Sequence, residues 1–170
     1  MHLLTLITYF ILQGHPDIGP HTMQPETDTL AIDTSRYAVL TYTKSRDSFL
    51  FDSDVKPADL SAAEIAKIEK IIRVMVKEYN KANNKTDKSQ PVVLVHDAIK
   101  KPGNYYKQLI AVTDKKGEKL VWVNCFCTPH EKKYWKKGVV MVLDGGPCFF
   151  NIKINLSTNT VLNFKVNGTS

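Results

Sequence analysis

The sequence predicts an α+β fold in which one helix packs on a four- or five-stranded antiparallel meander sheet. Three observations predict it. Ser61 to Tyr79 carries helix signals that agree with one another. The chain after Tyr105 holds runs that alternate apolar and polar residues. Short turn-forming stretches join those runs.

The helix begins at a capping box, Ser61-Ala62-Ala63-Glu64. The Ser hydroxyl accepts from the Glu64 N–H, and the Glu64 carboxylate reaches back to the Ser61 N–H. Leu60 precedes the cap and Ile65 follows it by four residues, the spacing of a hydrophobic staple. Ile65, Ile68, Ile71, Ile72, Met75, Val76 and Tyr79 then form one apolar stripe. Lys67, Glu69, Lys70, Arg73, Lys77 and Glu78 fill most of the other face, and Asn80 to Asn84 are a polar stop. Such a stripe is expected to pack on the domain's own sheet, since helices gain most of their stability that way.

A strand is expected at Tyr37 to Thr43, before the helix. Tyr105 to Thr113 alternates Tyr106, Ile110 and Val112 against Lys107, Leu109 and Ala111. Asp114-Lys115-Lys116-Gly117 is a turn whose Gly supplies the positive φ a tight hairpin needs. Glu118 to Cys127 alternates Val121, Val123, Cys125 and Cys127 against Trp122, Asn124 and Phe126. Val139 to Asp144 is a short apolar run, broken by Gly145-Gly146-Pro147. Cys148 to Leu156 is the clearest strand, and Val161 to Val166 returns after Ser157-Thr158-Asn159-Thr160. One buried and one wet face would mark an antiparallel sheet. The order is β-α-β-β-β-β.

That order resembles the cystatin-like layout. The Gln-Val-x-Val-Gly-type hairpin by which cystatins inhibit cysteine proteases is missing; the central turn reads Asp114-Lys115-Lys116-Gly117. Two segments, Lys119 to Cys127 and Tyr134 to Leu156 running on to Gly168, resemble a group of small uncharacterised bacterial proteins, mainly from the Bacteroidota. The resemblance spans about residues 50–168. It implies a fold and a source rather than an activity.

At 170 residues the chain is expected to hold a single domain over 36–170, preceded by an apolar segment and linker over 1–35. Net charge is +6, unevenly spread. Residues 1–60 carry 4 basic and 8 acidic side chains, and residues 61–170 carry 19 and 9. A basic domain suits acidic partners: a protein, an anionic ligand or, less so, nucleic acid. Leu3 to Leu12 is apolar but too short to span a bilayer. It reads as a degenerate export signal, as an extra apolar element of the fold, or as a mis-assigned start. No other stretch reads as transmembrane, and the expected location is the periplasm or outside.

The three cysteines leave alternatives open. Cys125 and Cys127 share a strand face, so a bridge between them is geometrically poor. Cys148 could bridge either one in an exported protein. With His130 the three cysteines have the ligand count of a zinc site, though C-x-C is not the usual knuckle spacing. Buried Cys also packs simply as a small apolar residue. No cofactor or metal is expected.

No hydrolase elbow, phosphate loop, zincin or dinucleotide motif is present. His96-Asp97 implies no nucleophile, and a Cys–His pair with His130 needs an exposed thiol. The expectation is therefore a non-enzymatic binding module. Two surfaces are candidates for partner binding. The first is the segment Lys132, Lys133, Tyr134, Trp135, Lys136 and Lys137, where lysines could meet anions and the rings could stack. The second is the outer sheet face, where Lys107, Trp122, Asn124, Phe126, Phe149, Asn151, Lys153, Asn155, Asn163 and Lys165 would project together. The alternatives are a sensor or enzyme with a pocket between helix and sheet, and an anionic-polymer binder using the lysine-rich loop.

Overall fold

Ser61 and Glu64 close the predicted capping box: the Ser61 N–H donates to Glu64 Oε2 at 2.7 Å, and the Glu64 N–H donates to Ser61 Oγ at 3.2 Å. The helix they start, α2, runs Ala62–Asn83. The structure, a computed structural model, describes residues 33–51, 54–83, 98–129 and 134–168. Beside short 3-10 turns, the other elements among the described residues are β1 (Tyr37–Val39), a one-turn helix α1 (Lys44–Asp47), β2 (Lys56–Pro57), β3 (Tyr106–Thr113), β4 (Lys119–Phe126), β5 (Phe149–Asn155) and β6 (Thr160–Val166). The apolar segment Leu3 to Leu12 lies outside the described residues.

The fold is α+β. The strands form one six-stranded sheet in the order β1-β3-β4-β5-β6, with β2 also paired to β3. From β3 to β6 every neighbour is antiparallel, joined by hairpins or a longer connection. Gly117, at φ 80, sits in the β3–β4 turn as its position predicts. The sheet is nonetheless mixed rather than wholly antiparallel, because β1 runs parallel to β3, pairing Tyr37 with Lys107 and Val39 with Leu109. The chain between β1 and β3 includes α2, and such a long crossover is what parallel pairing requires.

Two cores flank the sheet. On one face, Ile68, Ile72 and Met75 of α2 pack on Leu109, Val123, Ile152 and Ile154. This is the stripe the helical spacing predicts. On the other face, Ile110, Val112, Trp122 and Phe126 are buried beneath Leu40, Tyr42, Leu50 and Phe51 and beneath Trp135 and Val140. The expected wet face is thus largely covered. Two irregular segments, 40–51 and 134–142, do the covering, and Leu109–Val112 is apolar without a break because it is buried on both sides.

Gln108 fastens one cover. Its amide nitrogen donates to the Trp135 and Gly138 carbonyls, and its oxygen accepts from the Val140 N–H. Asn124 adds bonds to Gln108 Oε1 and the Val140 carbonyl. These side chains replace the ladder that the 134–140 backbone does not make.

Cys127 and Cys148 form a disulfide, with Cα atoms 5.1 Å apart. The Cys127 N–H donates to the Cys148 carbonyl, so the bridge extends the β4–β5 pairing. Cys125 is a free, fully buried thiol on the helix side. A zinc site using all three cysteines is therefore not formed: two of the sulfurs are bonded to each other, and His130 lies outside the described residues. Among the described residues no helix is long and apolar enough to cross a membrane.

Candidate functional site

The part of the outer face left open by the two covers is a groove of about 320 Å³ over β4, β5 and β6. Its floor follows from period-2 alternation and strand register. Asn124 pairs with Asn151, and Asn151 with Lys165. Trp122 pairs with Lys153, and Lys153 with Asn163. Two rows of side chains therefore cross the three strands side by side, at the spacing where cross-strand neighbours touch. Phe49 and Met141 stand on opposite covers as walls, 60% and 62% exposed. Among the described residues the lining holds two lysines and no carboxylate.

The floor grades from fixed to free. Trp122 and Asn124 are nearly buried, and Asn124 is committed to Gln108 and Val140. Lys153 Nζ lies 5.7 Å from the centre of the Phe51 ring. Among the described residues, the side chains of Asn151, Asn163 and Lys165 make no hydrogen bond or ion pair. Asn167 fixes the rim, its amide nitrogen donating to the Val142 and Asp144 carbonyls.

The predicted surface residues separate accordingly. Trp122, Asn124, Phe149, Asn151 and Lys153 come together at the groove, with Asn163 and Lys165. Phe126 does not; it is buried against Tyr106 and Trp135. Asn155 turns to the Ser157 and Thr158 amides. Lys107 is on the opposite face, under α2. It is fully buried, 3.3 Å from Glu69, and donates to the Pro102 and Tyr105 carbonyls. The reason is register: Lys107 shares a face with Leu109 and Ala111, which are beneath the helix.

The lysine-rich loop is changed more. Trp135 is 2% exposed, with its ring edge against Tyr106 and Phe126, so it is a core residue rather than a stacking platform. Tyr134, Lys136 and Lys137 remain exposed, and Lys136 Nζ sits 5.3 Å from the Trp135 ring centre. Lys132, Lys133 and His96-Asp97 lie outside the described residues. Between helix and sheet the polar groups close on one another. Tyr37 Oη donates to Glu69 Oε2 at 2.5 Å, and Arg73 lies 3.2 Å from Glu69 Oε1. Burial and the Glu69 carboxylate hold the Tyr37 phenol far above its usual range. Cys125 beside them is pushed up to about 12, first by burial. Such a thiol stays protonated and is a poor nucleophile.

Phe49, Met141, Val142 and Asn167 were not indicated by the sequence. Strand periodicity reaches the floor of the groove but not its walls, which lie outside the strands. The architecture defines a class: an α+β protein whose sheet is covered on one face by a helix and grooved on the other. No protein family, no curated protein and no solved structure was found to match the chain.

Proposed function

We propose that this protein is an exported, non-enzymatic binding module whose outer-sheet groove takes an anionic, hydroxyl-bearing ligand, of which an acidic saccharide is the simplest chemical type. The carrying observation is the pair of cross-strand rows in which Asn151, Asn163 and Lys165 make no side-chain hydrogen bond or ion pair among the described residues. An amide offers both a donor and an acceptor to a hydroxyl, and a lysine offers charge to a carboxylate or sulfate. With no carboxylate among the described lining residues, an anion meets no like charge from them. Phe49 offers an exposed ring beside these polar groups. Export is supported by the Cys127–Cys148 disulfide, since such bonds persist mainly in oxidising compartments. The antiparallel run β3–β6 with α2 across it supports the cystatin-like comparison, from which the parallel β1 departs.

Calorimetric titration with a uronate-containing oligosaccharide, against its neutral counterpart, tests the reading. Binding of the acidic form is expected, weakened about tenfold by Asn151→Ala or Lys165→Ala, the usual scale of a hydrogen bond to a charged group. Absence of binding, or variants that bind as tightly as the unaltered protein, would sink it.

A further inference from the structure

A second concavity, away from the sheet's outer face, lies between the last turns of α2 and the segment 99–102. It measures about 620 Å³ and is lined by Arg73, Lys77, Lys81 and Lys101, with Asn80 and Ile99 among the remaining residues. We infer that it is a binding site for a small, multiply charged oxyanion of the phosphoryl or sulfuryl kind. The inference stands independently of the groove.

Four observations carry it. Arg73, Lys77 and Lys81 follow one another at a spacing of four residues, so their cations stand in one row along the helix. Like charges at that spacing oppose helix formation, and the ion pair of Arg73 with Glu69 gives no reason for Lys77. Lys81 is in the last turn, where a cation suits the helix dipole, but that accounts for Lys81 only.

The facing segment is held in place. Asn80 grips the Ile99 backbone at both ends, its amide nitrogen donating to the Ile99 carbonyl at 2.9 Å and its oxygen accepting from the Ile99 N–H at 3.0 Å. Two residues on, Lys101 adopts φ 49 and ψ 63, a left-handed conformation that side-chain-bearing residues rarely take. Backbone strain of this kind gathers where a side chain must be aimed. Here it accompanies a fourth cation on the facing wall.

Arg73 is positioned as well. Its guanidinium lies 3.2 Å from Glu69 Oε1 and fills the space at Gly103, where an added Cβ would come within 2.7 Å of Arg73 Nη2. Finally, the lining has no carboxylate among the described residues. Lys77, Lys81 and Lys101 make no ion pair among the described residues. Two walls of cations around a hollow match the several oxygens of an oligophosphate, each cation meeting a different oxygen.

The test uses tripolyphosphate as probe and the full chain as protein. Thermal stability is measured with tripolyphosphate and with sodium chloride of equal ionic strength, and affinity by calorimetry. Tripolyphosphate alone is expected to raise the melting temperature. Lys77→Ala is expected to weaken binding about tenfold, the scale of one hydrogen bond to a charged group. Lys101→Gly is the decisive variant: glycine accepts the left-handed backbone, so the protein is expected to melt higher without ligand while losing affinity to a similar degree. Co-sedimentation with vesicles containing a phosphorylated inositol lipid distinguishes a lipid headgroup from a free anion as the source. Binding of either probe, weakened about tenfold in both variants, supports the site. An equal shift from sodium chloride, unchanged affinity in Lys101→Gly, or binding of neither probe would overturn it.

Discussion

Lys107 Nζ and Glu69 Oε2 lie 3.3 Å apart with their side chains 0% and 4% exposed, joining β3 to α2 inside the core. Neither charge has much access to water, so each depends on the other and on the groups around them. Tyr37 completes the arrangement from β1, donating to the same carboxylate oxygen while Lys107 Nζ stands 5.1 Å from its ring centre. Truncating Lys107 leaves Glu69 its contacts with Arg73 and Tyr37, whereas truncating Glu69 leaves Lys107 a buried charge with no carboxylate partner among the described residues. Glu69→Leu is expected to destabilise the fold by about 3–5 kcal/mol, and the double variant Lys107→Met/Glu69→Leu by clearly less. Urea denaturation of the singles and the double measures the difference; equal losses would show that the pair is not coupled.

The Cys127–Cys148 bridge spans 21 positions in sequence. In the chain-entropy account, closing a loop of that size stabilises the folded state by roughly 3 kcal/mol. Cys127→Ser/Cys148→Ser, or reduction, should lower the melting temperature correspondingly while leaving the β3–β4 hairpin formed. A melting temperature indifferent to reductant would contradict this.

Gln108 holds the 134–140 cover with bonds to Trp135, Gly138 and Val140. Gln108→Leu keeps the apolar bulk but orphans these buried groups, at a cost of about 3 kcal/mol. Hydrogen exchange offers the sharper readout: the Val140 amide should lose protection before the β4 amides do. Simultaneous loss at both would mean that the cover and the sheet unfold together.

Cys125 gives the pH dependence a sign. Burial pushes its thiol up to about 12, above its ordinary value near 9. Between those values the folded state holds a proton that the unfolded state has released. The stabilisation is therefore complete below about pH 9 and is lost as pH rises toward 12. Cys125→Ala should flatten that alkaline limb, and the native thiol should resist alkylation at pH 8 until the chain unfolds. Rapid native alkylation at Cys125 would contradict its burial.

The capping box at Ser61 and Glu64 and the stripe from Ile65 to Tyr79 are local patterns, and they specify α2 without help from distant residues. Strand alternation likewise places Trp122, Asn124, Asn151 and Lys153 on one face. Its reach ends where the backbone becomes irregular. Leu40 and Tyr42 continue the alternation of the strand expected at Tyr37 to Thr43, though β1 ends at Val39, while Leu50 and Phe51 have no period to reveal that they cover the sheet. Neither does anything near Trp135 announce that Gln108, many residues earlier, will bind its carbonyl. The unbroken apolar stretch Leu109–Val112 was the available sign of burial on both faces. Lys107 was legible only by following its own face to Leu109 and Ala111, and its acceptance there depends on Glu69 from another element. Parallel pairing of β1 was hidden for the same reason: it depends on where a long crossover returns.

The disulfide makes the connection between β4 and β5 a covalent ring. A protease that cuts the chain once anywhere between Cys127 and Cys148 yields two polypeptides that remain one molecule. The strands on either side stay tied at the point where their backbones are already bonded. On a gel such a nicked protein would run as a single species until a reducing agent is added. A cut in this connection would therefore leave the two pieces joined in an oxidising medium and separate them only in a reducing one.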